Sequence, residues 1–170
     1  MRGRRTQRLA QLGLLTALAM IASYIELLIP IPIGIPGVKL GLANLMTVWA
    51  LYALGPLDAL AVNGTRILLS GFLFGNLSMI LYSLAGAALS FVSMYLAKKS
   101  DAFTVTGVSI IGGVTHNAGQ LLTAMCVLET GSLIYYGPVL LAAGLITGYL
   151  IGVLAEEIGK RVHLKKQAGN

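Results

Sequence analysis

Charge is what this 170-residue chain most lacks: Asp, Glu, Lys and Arg together make up 11% of it, against about 25% in soluble domains. So little charge cannot dress a water-soluble surface. Aspartate is scarcer still, with Asp58 and Asp101 alone, which rules out an Asp-rich magnesium motif for handling prenyl diphosphates, since Mg²⁺ sites need carboxylates. Histidine occurs twice. His116 has no Cys, Asp or second His nearby in the sequence and His163 belongs to a basic tail, so neither zinc nor a redox metal has a ligand set. The single cysteine, Cys126, excludes an internal disulfide and reads as apolar filler in its helix. Also missing are the phosphate-cradling GxxxxGK(S/T) loop, the HExxH helix and the GxSxG turn. These absences argue against independent catalysis, and no cofactor is expected.

What is present is apolar. Hydrophobic residues make up 56% of the chain, mean hydropathy is +0.84 and there are 21 glycines. Glycine on that scale weakens a soluble bundle but suits membrane helices that pack closely. The composition describes an all-α integral membrane protein: one domain over residues 1–170, with a core from about 9 to 160 and a basic tail at each end. Six apolar segments can be drawn, at about Leu9–Ile29, Leu40–Leu54, Leu57–Phe74, Leu77–Ala97, Val105–Leu128 and Leu133–Ile158. The second and third are short and divided only by the Gly55-Pro56 turn signal; fused, they would reduce the count to five.

Basic residues decide between the counts. Arg2, Arg4, Arg5 and Arg8 precede the first segment, Lys98 and Lys99 follow the fourth, and Lys160, Arg161, Lys165 and Lys166 follow the sixth. All three clusters stay in the cytoplasm only if an even number of crossings separates them. Six helices with both termini inside meet that condition, and five do not. The net charge of +6 is therefore read as topology, not as nucleic-acid binding. The Arg-rich start resembles a secretory signal, but its apolar run is too long and no small-residue cleavage site follows, so it is expected to remain as the first helix.

Polar residues inside such segments are costly and point to function. In Gly107–Glu129, His116 and Gln120 are four apart and Asn117 and Gln120 three apart, a spacing that lets all three share a helix face. Their donors and acceptors suit a ring or carboxyl group, or could tie helices together. Arg66 sits mid-way along the third segment with Asn63 three before it and Ser70 four after it, a polar stripe NxxRxxxS. A buried guanidinium needs an ion pair or a ligand. Asp58 is either a helix-end charge or a partner. Lys39 and Asn44 flank the entry to the second segment, and Glu26 lies near the outer end of the first, where Glu26 and Lys39 could pair or address a solute. Asn76 is placed to cap the fourth helix, and Glu129 reads as a solvated helix-end charge. The proline-rich run Pro30–Gly37 cannot continue a helix; it is a plain connector or an apolar cap over a cavity. Small residues at four-residue spacing, Gly13/Ala17 and Gly144/Gly148/Gly152, allow close packing within the bundle or against another membrane protein.

Three motifs in order, PGVKLGLAN (Pro36–Asn44), NGTRILLSG (Asn63–Gly71) and GGVTHNAGQ (Gly112–Gln120), resemble the family named heptaprenyl diphosphate synthase component I, also called the Gx transporter family. That family is similar to the substrate-binding S components of energy-coupling-factor vitamin transporters. The resemblance spans about residues 9–160. It implies a six-helix, multi-pass subunit of a prokaryotic plasma membrane that takes a small substrate from outside, with Lys39, Asn44, Arg66, His116, Asn117 and Gln120 at positions matching the pocket. Asn63 and Glu26 join these as substrate-binding candidates. It also implies a transmembrane coupling subunit carrying two ATPases, docked through small residues of the first helix. This chain offers Gly13/Ala17 and Ala19/Ala22 there in place of an Ala-x-x-x-Ala pair. Two functions stay open: uptake of a small anionic, heteroaromatic or isoprenoid-related solute, and a non-catalytic scaffold or accessory role in isoprenoid or quinone synthesis.

Overall fold

A computed structural model describes the backbone of residues 2–28 and 41–168, with side chains over 5–28 and 41–162. The Pro30–Gly37 run and Lys39 lie outside the described residues. Among the described residues six α-helices follow one another: α1 (Arg2–Leu28), α2 (Asn44–Ala53), α3 (Pro56–Phe74), α4 (Leu77–Lys99), α5 (Val105–Val127) and α6 (Gly137–Ala168). A 3-10 helix, Gly131–Tyr136, leads into α6. There is no strand among the described residues.

Helix punctuation follows local chemistry. Gly55 adopts φ +105° between α2 and α3, a conformation open to glycine, and Pro56 then occupies the first turn of α3, where its missing N–H costs nothing. Asn76 caps α4 as its spacing suggests, accepting from the Met79 backbone N–H at 2.9 Å. Thr104 does the same for α5 through Gly107, at 3.1 Å.

Among the described residues four stretches, Arg5–Leu28, Pro56–Phe74, Leu77–Lys99 and Gly131–Val162, are long and apolar enough to cross a membrane. Of the six expected spans, four thus meet the test of length and composition among the described residues. α5 has the length, with 23 residues, but His116, Asn117, Gln120 and its glycines dilute its hydropathy. The segment expected from Leu40 is corrected more sharply. Its helix begins only at Asn44 and has ten residues, about 15 Å of rise against a hydrocarbon core of about 30 Å. Gly41, at φ +89°, turns the chain into the helix, with the Asn44 N–H on the Gly41 carbonyl at 2.8 Å.

All the basic clusters with described side chains meet at one end of the bundle. Arg8 of α1 grips Asp58 at the start of α3, with Nη2 to Oδ1 at 2.6 Å. Lys98 at the end of α4 donates to the Leu51 carbonyl near the end of α2 at 2.6 Å. Thr106 at the start of α5 donates to Glu156 of α6 at 3.2 Å, and Glu156 pairs with Lys160.

The packing divides the helices into two sets. α1, α2 and α3 lean on one another, while α5 is clamped between α4 and α6 by glycines. A methyl placed on Gly113 would lie 2.3 Å from the Gly144 carbonyl oxygen, and one on Gly148 would lie 2.8 Å from the Ile110 Cα. On the other side of α5, a methyl on Gly119 would meet the Gly86 Cα at 2.9 Å. The Gly144/Gly148/Gly152 stripe is thereby used inside the chain, against α5.

The distribution of polarity is that of a membrane protein. Leu14, Ile21, Leu57, Phe72 and Tyr135 face outward, while Ser23, Glu26, Asn44, Arg66, His116 and Gln120 are buried. Exposed apolar area on that scale is unsuited to water. An apolar core of Leu15, Val48, Leu51, Val62, Met94 and Ile151 fills the bundle toward its basic end. A second cluster, Tyr82, Leu121, Ala124 and Leu140, lies toward the other end. The polar layer is sandwiched between them.

Candidate functional site

α2 starts inside the bundle, at the depth of Arg66, and runs from there to the basic end. Its first turn therefore brings backbone N–H groups and the positive end of a helix dipole into the polar layer. Gly41 is buried at this point, and its N–H donates to the Glu26 carboxylate of α1. A methyl on Gly41 would stand 2.8 Å from Asn44 Nδ2 and 3.7 Å from His116 Cδ2. That one glycine thus marks where α1, α2 and α5 meet.

Arg66 is 5% exposed and its guanidinium is held from three helices. Nε and Nη2 reach Asn63 Oδ1 at 3.1 and 2.8 Å, one turn back on α3. Nη2 also reaches Asn44 Oδ1 of α2 at 3.2 Å, and Nη1 reaches Ser23 Oγ of α1 at 3.3 Å. All three acceptors are neutral. Among the described residues no carboxylate makes a salt bridge with Arg66; Glu26 acts on it only through the Coulombic field. Asp58, the other carboxylate on α3, is taken by Arg8. The choice between ion pair and ligand contact is therefore not met by an ion pair in direct contact. A cation in this layer is oriented and hydrogen-bonded without being neutralised at contact distance.

His116 of α5 lies within electrostatic range of Arg66 and stacks along its helix with Gln120, Nε2 to Nε2 at 3.1 Å. Gly86 of α4 backs both: a methyl there would meet the His116 carbonyl at 2.8 Å and Gln120 Cγ at 2.9 Å. Gln120 Oε1 has no hydrogen-bond partner, and His116 Nδ1 makes no well-formed hydrogen bond, only a contact with the Gly86 backbone. If Gln120 donates to His116 Nε2, the imidazole proton sits on Nδ1. Buried polar atoms without partners are uncommon and call for an explanation.

Asn117 departs from the expected shared face. Its Nδ2 donates to the Leu140 carbonyl of α6 at 2.7 Å, because one residue of α-helix turns a side chain by about 100°. Asn117 is thus a strut between α5 and α6. The other expected residues divide as follows. Glu26, Asn44, Asn63, Arg66, His116 and Gln120 form one connected layer, and Lys39 lies outside the described residues. Ser70 is buried with its hydroxyl unpartnered, one turn beyond Arg66. Sequence reasoning missed Ser23, Gly41 and Gly86. Ser23 carried a signal, since it falls three before Glu26 on the same face of an otherwise apolar helix.

The docking candidates also separate. Gly13 and Ala17 are exposed and line an open apolar groove of about 480 Å³ between α1 and α3, with Thr16, Met20 and Leu69. Ala19 is fully buried and Ala22 half-buried, so Ala19 packs within the chain. Among the described residues, a cavity that touches the polar layer through Asn44 holds about 10 Å³, bounded by Val48, Ser90, Ser109 and Thr147. That is room for about one water. No group of three or more His, Cys, Asp or Glu that could hold a metal occurs among the described residues.

A family model described as heptaprenyl diphosphate synthase component I matches residues 15–158. The match takes in the whole polar layer and all the described helices except the outer parts of α1 and α6, and the chain belongs to that family. No curated protein and no solved structure matches it.

Proposed function

We propose that this member of the heptaprenyl diphosphate synthase component I family is a substrate-binding membrane subunit for uptake of a small solute. The solute would be anionic, heteroaromatic or isoprenoid-related. One observation carries the reading: Arg66 is buried among Ser23, Asn44 and Asn63, all neutral, with Gln120 Oε1 unpartnered in the same layer. A structural arginine at such depth would be expected to carry a carboxylate in contact. An arginine held by amides keeps its charge available to a carboxylate, phosphate or polarised carbonyl. Gln120 and His116 then offer an acceptor and a ring N–H to the rest of the solute, and the N-terminus of α2 adds to the positive field.

The orientation belongs to this proposal. With the basic end in the cytoplasm, Glu26 and the N-terminus of α2 look toward the outside of a prokaryotic plasma membrane, and both chain termini lie inside. The six-segment count expected from the basic clusters belongs to this reading as well. The chain has no ATPase motif, so active uptake requires a partner, and a transmembrane coupling subunit with two ATPases is the one proposed. The open Gly13/Ala17 groove is where it would dock.

Retention of ligand by the purified protein tests the reading. Wild type, Arg66→Lys and Gln120→Leu are incubated with a panel of vitamins, flavins, quinone precursors and isoprenoid phosphates, and bound material is measured after gel filtration. Wild type is expected to retain one class, with at least about a tenfold loss in each variant, the scale of one charge-assisted hydrogen bond. Well-folded wild type that retains nothing refutes it.

A second reading is favoured by the family's description, which makes its members one component of a synthase. In it the chain is a non-catalytic scaffold for isoprenoid or quinone synthesis. Purification in mild detergent separates the two: ATPases with a coupling subunit support uptake, and a stoichiometric prenyl synthase supports the scaffold.

A further inference from the structure

The two helix sets are joined very differently from the way each is held together. Within α4–α6, glycines bring backbones into contact, so those helices cannot part without losing a whole stripe of packing. Between the sets, α2 offers Asn44, Val48 and Leu51 along one face to the α4–α6 block. At the basic end this seam is flanked by two clefts. One, of about 210 Å³, is lined by Val48, Trp49, Tyr52, Val105 and Glu156. The other, of about 200 Å³, is lined by Leu51, Pro56, Tyr95, Lys98 and Lys99. Lys98 of α4 crosses between them, with Nζ 2.6 Å from the Leu51 carbonyl and 4.6 Å from the centre of the Tyr52 ring.

Inside the seam lies the water-sized cavity that touches Asn44. Its walls include hydroxyls from all three helices of the block: Ser90 on α4, Ser109 on α5 and Thr147 on α6. Ser90 donates to the Gly112 carbonyl at 2.8 Å. Ser109 is 2% exposed and its Oγ has no partner. An unpartnered hydroxyl facing a water-sized space is the mark of a hydrated position. Val48 borders both this cavity and the 210 Å³ cleft, and with Leu51, Val108 and Ile151 of the same apolar core it stands between the polar layer's lower edge and an opening at the basic end.

We propose that the seam between α2 and the α4–α6 block is an exit route through the chain itself. α1–α3 swings away from α4–α6 at the basic end when Lys98 lets go of α2, Val48 withdraws, and water reaches Ser109 and Asn44. A small polar solute released from Arg66 then leaves along this hydroxyl-lined path. The purpose of the route rests on the uptake reading, but its existence is tested without any ligand. The latch is one hydrogen bond and one cation–π contact, both of which face competition from water at a membrane surface, whereas nothing comparable loosens the glycine contacts.

The test is thiol accessibility in membrane vesicles. Cys126 is the sole cysteine and is exposed, so Cys126→Ala gives a clean background. Into it are placed Ser109→Cys, which is nearly isosteric, and separately Val48→Cys; Ser100→Cys marks the face that carries the basic end. Each is treated with a charged, membrane-impermeant methanethiosulfonate in vesicles of both orientations. Ser109→Cys and Val48→Cys should react from the Ser100 face alone. Adding Lys98→Gln should speed both by at least about fivefold, the weight of a single weak polar contact expressed as a population shift. If neither cysteine reacts after Ser100→Cys is fully modified, with or without Lys98→Gln, the route does not exist; equal reaction from both faces also overturns it, as does an unchanged rate in Lys98→Gln. Should one cysteine variant fail to fold, the other gives the same readout. Failure here would leave ligand retention at Arg66 untouched, and failure of retention would leave this route as it stands.

Discussion

Gly113→Ala is the substitution in which the packing of α5 against α6 can be checked most directly. The added methyl would lie 2.3 Å from the Gly144 carbonyl oxygen and 3.1 Å from the Gly148 Cα. Both obstacles are backbone, so neither can rotate aside. Restoring ordinary contact means parting α5 from α6 by about 1 Å, which forfeits dispersion along the whole Gly144/Gly148/Gly152 stripe because a gap of that size already loses a quarter to a half of each atom-pair well. Overpacking of this kind costs about 1–3 kcal/mol. At about 2–4 °C per kcal/mol for a chain of this size, the melting temperature of detergent-purified protein should fall by several degrees. Gly13→Ala and Gly64→Ala are the controls, since a methyl at either position meets nothing within 4 Å. They should melt with wild type or slightly above it, as alanine is the better helix former by about 1 kcal/mol. If Gly113→Ala melts with the controls, the close approach of α5 and α6 is wrong, and with it the claim that α4–α6 is the rigid partner.

Other outcomes follow from individual contacts. Arg66→Lys keeps the charge but loses the fork that serves three acceptors, so ligand-free protein should be less stable by about 1.5–3 kcal/mol, the scale of a charged hydrogen bond; thermal melting reads it. Arg8→Gln should destabilise more than Asp58→Asn, because the Asp58 side chain is 8% exposed and cannot escape to water while that of Arg8 is 60% exposed and can; the order of the two melting temperatures checks this. Asn117→Leu removes a strut to the Leu140 carbonyl and should cost about 0.6–2 kcal/mol while leaving ligand retention intact, which distinguishes it from Gln120→Leu.

Much of the fold was legible because membrane helices advertise themselves by length and apolarity, and because glycine, proline and asparagine punctuate them at Gly55-Pro56 and Asn76. The gathering of Arg8, Lys98 and Lys160 at one end was also readable, since charge position follows from helix parity. α2 was not. The apolar stretch from Leu40 shows no break in hydropathy, and its late start is set by a conformational feature, the positive φ of Gly41, and by a tertiary one, the hydrogen bond from Gly41 to Glu26. Neither leaves a trace in a periodicity. α5 illustrates the converse: its polar residues marked it out as important, and the same residues lower its apolarity as a span.

For the site, spacing alone was a partial guide. It correctly put His116 beside Gln120, and Asn63 beside Arg66, because those pairs are set by the geometry of a single helix. It placed Asn117 on the same face too generously. A spacing of three or four says which residues can be neighbours, but the neighbouring helices decide which face is used, and Leu140 of α6 claimed Asn117. The acceptors of Arg66 show the limit most clearly. A buried arginine raises the question of its counter-charge, and Asp58 was the partner that the sequence of α3 offered. Asp58 is held by Arg8 at the basic end, while Glu26 takes the Gly41 N–H, so neither closes on the guanidinium. Three neutral groups from three helices take their place, which fixes the position of the charge while leaving it uncancelled at contact distance. That arrangement is poorly suited to holding helices together, since a hydrophobic residue would do so at lower cost. It is well suited to meeting an incoming negative charge or carbonyl, because the guanidinium is already oriented before the solute arrives.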